Sequence, residues 1–258
     1  MILGIDASSY LSVLENGKKF YDGCREVDPM ELFRANGVEY QRIRVWNDPK
    51  SPEGLPYEAG NCDIDHYVRL AKLVKAKGYK LLLDFHYSDF WADPAKQMVP
   101  KAWAGMDYEQ KKEALYAFTR DSLRQLVDAG VDVGMVQIGN ETNGALCGET
   151  SSALRGWEKI MGLISAGSKA VREVCPDALV AVHFANPEKA ESYVSYGKNL
   201  DYYQVDYDVF ASSYYPFWHG KLENLSEVLS GIATTYSKKV MVAETSYAFT
   251  AEDTDFSG

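Results

Sequence analysis

Two glutamates stand where apolar runs stop. Met135-Val136-Gln137-Ile138 reads as a buried strand that halts at Gly139 and delivers Asn140 and Glu141 side by side; Val240-Met241-Val242-Ala243 runs straight into Glu244. Two carboxyl groups facing one bond can cleave an acetal. One protonates the departing oxygen and the other attacks the anomeric carbon, which requires them roughly 5–5.5 Å apart. The acid must keep its proton near neutral pH, so it needs a less polar setting or a neighbouring negative charge. Asn140 adds an amide able to hydrogen-bond a sugar hydroxyl beside the reacting carbon, a bond that can strengthen in the transition state. Singly, each Glu has a bland reading, as the partner of an Arg or the cap of the next helix. As a pair, with Asn before the first, they point to glycosidic bond cleavage.

Other polar and aromatic residues follow apolar runs in the same way. They are Asp6; Arg42, Arg44 and Trp46; Asp84, His86, Asp89 and Trp91; His183; and Tyr214, Tyr215, Trp218 and His219. His86, His183 and His219 invite a zinc reading, but no His pair has helical ligand spacing and no Cys joins them, so hydrogen bonding within a polar site is the better reading. Trp46, Trp91, Trp103 and Trp218 fall in loops, where aromatic faces can stack on sugars or simply pack. His66 and Trp157 lie on helices, His66 as a surface or packing residue and Trp157 in the core.

The elements that must position these residues alternate. Candidate strands are Ile2–Asp6, Tyr40–Trp46, Lys80–Phe85, Met135–Ile138, Leu179–Phe184, Val209–Tyr214 and Val240–Glu244. Between them, Asp28-Pro29 supplies an N-cap and a first-turn proline for a helix closed by Gly37. Asp63 to Lys77, Asp107 to Ala129, Ser152 to Val174 and Leu222 to Tyr236 follow, and Asn186-Pro187 repeats the cap-plus-proline start of a helix ending at Gly197. Strands alternating with helices imply βαβ units and a parallel sheet. "GIDASSYLS" after the first strand lacks a GxGxxG fingerprint, and the notable residues follow many different strands, so a (β/α)8 TIM barrel with its site at the C-terminal mouth is expected over an open sheet. Glu141 and Glu244 then sit on strands 4 and 7. Few residues follow Tyr247, whereas a βα unit needs roughly 30. A single domain, 1–258, is therefore expected, lacking its eighth βα unit through C-terminal truncation.

Composition narrows the function classes. The 258 residues carry a formal net charge of −10 and no basic run, which argues against a nucleic-acid partner. Aromatic residues make up 13%, as suits a carbohydrate-binding groove. The four cysteines, Cys24, Cys62, Cys147 and Cys175, match no metal or redox spacing and read as free thiols. No apolar run is long enough for a membrane span, and "MILGIDASSYL" lacks a signal peptide's basic start, so the chain as given reads as cytoplasmic.

Six stretches in order resemble glycoside hydrolase family 53, the arabinogalactan endo-β-1,4-galactanases of clan A. They are "GIDASSYLS", "RIRVWNDP", "LLLDFHYSDFWADPAKQMVPKAW", "VQIGNETNG", "SSYYPFWHG" and "VMVAETSY", covering Ile5 to about Tyr247. The resemblance implies a (β/α)8 barrel and retaining hydrolysis of β-1,4-galactan and type I arabinogalactan, without a required cofactor. It implies Glu141 as acid/base, Glu244 as nucleophile and Asn140 as a sugar contact. It makes Arg44, His86, Trp91 and Tyr214 residues that shape the site. Asp84, His183 and Trp218 join these as substrate-binding candidates. Some members bind calcium after strand 7; Glu252, Asp253 and Asp255 are suitable oxygen ligands, but the loop is short and the ion is not expected. The family is mostly secreted. The "DFHYSDFWADP" block argues against another clan A endo-glycanase such as a mannanase or cellulase. A galactan-binding barrel without turnover is the alternative from a different class.

Overall fold

In the computed structural model, which describes residues 1–57 and 62–247, seven strands form one parallel sheet. They are β1 (Gly4–Asp6), β2 (Tyr40–Val45), β3 (Lys80–Phe85), β4 (Val133–Ile138), β5 (Leu179–Phe184), β6 (Val209–Ser213) and β7 (Lys239–Glu244). Each pairs with its sequence neighbour, in the order β1 to β7. The helices are α1 (Tyr10–Glu15), α2 (Pro29–Ala35), α3 (Ile64–Ala76), α4 (Tyr108–Asp128), α5 (Gly156–Val174), α6 (Ala190–Tyr202) and α7 (Leu222–Tyr236). This is the (β/α)8-type architecture expected, curled as a seven-stranded half-barrel.

Strand alternation sorts residues between two environments. In β2, Ile43 and Val45 belong to the large core beneath the helices, while Tyr40 packs in the barrel interior with Leu82, Met135, Ala181 and Val209. Arg42 and Arg44 share Tyr40's face one and two steps further along. The interior is therefore apolar at the N-terminal end of the strands and polar towards the C-terminal end, which is where the site lies. Met1 to Asp6, Lys239 to Thr245 and this apolar layer line a cavity of about 1000 Å³.

Helix starts follow local chemistry. Asp28 accepts a hydrogen bond from Met30 N, with Pro29 at the first helical position. Asp63 accepts from His66 N, and Asp107 and Gln110 form a capping box. Two expected starts move. Ser152 to Leu154 form turns, and α5 begins at Gly156 after a left-handed Arg155. Asn186-Pro187 does not cap a helix: Asn186 has φ 70° and accepts from Asn143, Pro187 O accepts from Asn224, and α6 begins at Ala190. Gly197 lies inside α6, which runs on to Tyr202. Two hairpins escape the alternation pattern because their strands are only two or three residues long: Phe20–Asp22 with Arg25–Val27, and Ala145–Leu146 with Glu149–Thr150.

The strand bounds also shift. β1 starts at Gly4, β7 at Lys239, and β4 at Val133, two residues before the expected Met135. The extra turn of β4 contains Gly134, opposite a register irregularity between Leu81 and Leu82. A Cβ at Gly134 would lie 2.7 Å from the Tyr40 hydroxyl, so any larger residue there requires the interior ring of Tyr40 to move.

Gly167 of α5 sits over β4, where an added Cβ would lie 2.8 Å from Ile138 Cγ2 and 3.0 Å from the Tyr87 hydroxyl. Gly→Ala inside a helix ordinarily stabilises by about 1 kcal/mol, but overpacking costs about 1–3 kcal/mol. Gly167→Ala is expected to lower the urea midpoint. An unchanged or raised midpoint would show that α5 can lift from the sheet at no net cost.

Candidate active site

The C-terminal ends of β2 to β7 converge on one buried cation. Arg42, 6% exposed, sends Nη2 to Asp84 Oδ2 at 2.8 Å, Glu244 Oε1 at 2.7 Å and Asn140 Oδ1 at 2.9 Å, and Nη1 to Asp6 Oδ2 at 3.3 Å. Burial disfavours its charge, but Asp84, Glu244 and Asp6 more than offset this and raise its pKa further.

Glu244 closes the cluster from β7. Its second oxygen accepts from the Tyr215 hydroxyl at 3.0 Å. Burial alone would raise its pKa; Arg42 overrides this, with help from Tyr215, and the group is pulled down to about 2. Glu141 has the opposite setting. Burial, then the negative charge of Glu244, push it up to about 7, against one hydrogen bond from Ser213 at 2.5 Å. Glu141 follows β4 through Gly139 and Asn140 with a left-handed backbone, φ 46°.

Beneath the two glutamates lies a layer of buried polar side chains. Asp84 is wholly buried, its carboxylate shared among Arg42, His86 Nε2 at 2.9 Å and Gln137 Nε2 at 2.5 Å. His86 Nδ1 accepts from Ala92 N at 3.0 Å, which leaves Nε2–H to donate to Asp84. His183, also wholly buried, meets Gln137 at 3.0 Å, Asn140 at 2.9 Å and Ser213 at 3.0 Å. Burial lowers its pKa to about 4, so the ring is neutral above that pH. Asn140 donates from Nδ2 to Ala92 O at 2.9 Å, and its carbonyl accepts from Gln97 at 2.8 Å.

The expected site residues therefore divide. Glu141, Glu244 and Asn140 come together. Asp84, His86 and His183 are buried beneath the glutamates, Asp84 holding His86 and Gln137, and His183 holding Gln137, Asn140 and Ser213. Arg44 lies at the rim, 4.1 Å from the Trp91 ring centroid, hydrogen-bonded to Ser9 and 3.8 Å from Asp6. Tyr214 is buried, with its hydroxyl donating to Gly220 O. Strand alternation turns Ser213 and Tyr215 to the site and Tyr214 away from it. Trp218 is 56% exposed and meets Tyr215 edge-on at 5.8 Å, while neighbouring Phe217 stacks on Tyr247 at 5.1 Å. Trp46 and Trp103, read as loop aromatics, are buried; Trp46 packs beneath Trp91 at 5.5 Å. His66 is buried too, its ring 3.2 Å from Ser8 O.

Gln137 and Ser213 were not selected from sequence as site residues, and Arg42 and Tyr215, noted at strand ends, were not given a catalytic or substrate-binding role. Gln137 carried a signal: an amide inside an otherwise apolar strand must find buried partners. Among the described residues no group of three or more His, Cys, Asp and Glu could hold a metal ion. Glu252, Asp253 and Asp255 lie outside the described residues.

Comparison with known proteins identifies the family. The model of glycosyl hydrolase family 53 matches residues 2–258. An endo-β-1,4-galactanase of Bacillus subtilis (strain 168) is 51% identical over 259 residues, spanning all of this chain; the chain in turn spans 59% of that protein's length. An arabinogalactan endo-β-1,4-galactanase of Cellvibrio japonicus is 34% identical over 97% of the chain and 67% of its own length. The solved family 53 catalytic domain of Ignisphaera aggregans superposes with a TM-score of 0.92 at 41% identity, covering 99% of this chain and 71% of that one.

Removing the cation isolates its contribution. Arg42→Met leaves Asp84 buried without its charge partner, and stability should fall by about 3–5 kcal/mol at pH 7. Glu244's depressed pKa stabilises the fold fully above about 4.5 and is lost as pH falls towards 2. The gap between wild type and variant in urea denaturation should therefore narrow below pH 4.5. A gap independent of pH would remove Arg42 from the charge balance.

Proposed function

This chain belongs to glycosyl hydrolase family 53, and we propose that it hydrolyses internal β-1,4-galactosidic bonds of galactan and type I arabinogalactan with retention at the anomeric carbon. The observation that carries the reading is the split between two interacting carboxyls at one strand-end cluster: Glu141 up to about 7, Glu244 down to about 2. Such a split assigns an acid and a nucleophile. The names of the Bacillus subtilis and Cellvibrio japonicus relatives supply the substrate class.

Glu141, protonated below about pH 7, gives its proton to the glycosidic oxygen as that bond breaks. Glu244, ionised and held by Arg42 and Tyr215, attacks the anomeric carbon and forms a glycosyl-enzyme ester. Glu141, now a carboxylate, takes a proton from water, which attacks the same carbon and frees Glu244. Asn140 has one amide hydrogen on Ala92 O and directs its other towards the hydroxyl next to the anomeric carbon. Trp91, backed by Arg44, and Trp218 offer aromatic faces for neighbouring sugars. The two carboxyls suffice as reagents without a cofactor.

The test is reducing-end release from β-1,4-galactan. Wild type should be active, with kcat/KM falling about tenfold per pH unit above about pH 7 as Glu141 loses its proton. Glu244→Gln should fall at least about 10³-fold. Galactan bound without cleavage by wild type would overturn hydrolysis in favour of a binding barrel.

Glu141 also carries a stability signature. Its raised pKa stabilises the fold below about pH 4.5, and that contribution is lost as pH rises through about 7. Glu141→Gln should therefore be more stable than wild type at pH 8, by on the order of 1–3 kcal/mol, with little difference at pH 4.5. Equal stability at both pH values would place the Glu141 carboxyl in an ordinary solvated setting.

A further inference from the structure

Glu141 Oε1 touches the Ser213 hydroxyl, and that hydroxyl touches the buried His183 ring. We propose that Ser213 and His183 are positioning residues that decide which oxygen of Glu141 carries its proton, reserving Oε1 as an acceptor and placing the acidic hydrogen on Oε2. The proposal deepens the reading of Glu141 as acid/base and rests on it.

Glu141's left-handed conformation aims its N–H at His183 Nδ1, 3.3 Å away. Gln137 Nε2 stands 3.0 Å from the same nitrogen. A backbone N–H cannot rotate its hydrogen elsewhere, and leaving it unpaired in a buried site costs about 1–3 kcal/mol. Nδ1 is therefore the acceptor. A neutral ring has one hydrogen, so it sits on Nε2 and points at Ser213 Oγ, 3.0 Å away. Ser213 then has one hydrogen of its own, directed to Glu141 Oε1 at 2.5 Å. Every donor in this chain points towards the glutamate, so Oε1 accepts whether Glu141 is charged or neutral.

One contact opposes this direction. Asn140 Oδ1 lies 2.9 Å from His183 Nδ1, although it already accepts from Arg42. The other tautomer would donate from Nδ1 to Asn140 and reverse the chain. Ser213 would donate to Nε2, and Glu141 would donate from Oε1 to Ser213. The acidic hydrogen would then be held inside the protein, unable to reach a leaving oxygen. The two tautomers thus differ in whether the acid is armed.

The groups facing this chain come from every surrounding strand. Glu244 on β7, Arg42 on β2 and Asp93 after β3 act on Glu141; Glu244, Arg42, Asp84 and His86 act on His183. None donates a hydrogen bond to Glu141 Oε1 in place of Ser213.

The experiment reads protons directly, in the absence of substrate. In 15N spectra, His183 should show a protonated Nε2 and an unprotonated Nδ1. In protein labelled at glutamate carboxyl carbons, with the Glu141 resonance assigned by Glu141→Gln, Ser213→Ala should move the Glu141 midpoint to higher pH, and Ser213→Thr should restore it. On β-1,4-galactan, Ser213→Ala should lower kcat about ten- to a hundredfold and move the alkaline limb of kcat/KM with the midpoint. A protonated Nδ1, or a Glu141 midpoint unmoved in Ser213→Ala, would overturn the proposal even in a fully active enzyme. Failure of wild type to cleave galactan would overturn the proposed function while leaving the spectroscopic result to stand or fall alone.

Discussion

The site depends on a single guanidinium. Arg42 is buried among three carboxylates, and each opposite charge offsets part of the cost of keeping the others from water. Its position also breaks the symmetry of the two glutamates. It touches Glu244 directly and acts on Glu141 only at a distance, so one carboxyl is ionised throughout the useful pH range while the other titrates near neutrality. Arginine is suited to this role because its charge persists under desolvation and its planar fork can serve several oxygens at once. Lysine would offer a compact charge that burial readily neutralises.

Around that cation the barrel interior works in two layers. Tyr40, Leu82, Met135, Ala181 and Val209 fill the lower one with apolar surface. One step up each strand, Arg42, Asp84, Gln137 and His183 form a mutually bonded polar layer that is nearly closed to water. Such bonding rigidifies the groups it joins, although Arg42 Nε is buried without a partner. Asn140 shows the effect: it is held at side chain and backbone by Arg42, Ala92 and Gln97, so Glu141 leaves β4 along a fixed path.

Periodicity and punctuation made the barrel legible. The seven strands and the capped helices α2, α3 and α4 were readable because Asp28-Pro29, Asp63 and the Asp107–Gln110 box are local signals with local partners. Asn186-Pro187 carried the same letters, but a cap requires the following residues to turn helical, and here Asn143 and Asn224 engage the loop instead. Within the site, Glu141, Glu244 and Asn140 stood out by position alone. Tyr214 was chosen where Tyr215 reaches the carboxylate, and Arg42 was passed over for Arg44. The tyrosine choice turned on which face of a strand points inward, which is fixed by pairing with strands far away in sequence; the two arginines share one face and differ in how far along the strand they sit.

The Arg42–Glu244 contact joins residues 202 positions apart. Closing so long a loop is entropically costly, and the contact contributes nothing until β7 has docked beside β6. Barrel strands β1 to β6 can pair in order, each with its predecessor, before that happens. During that interval Arg42 answers to Asp6 and Asp84 without Glu244, and Glu141 lacks the neighbour whose charge raises its pKa. Chemical competence thus waits on β7 and is lost when β7 frays, so loss of turnover should precede loss of helical signal along any unfolding path that begins at β7.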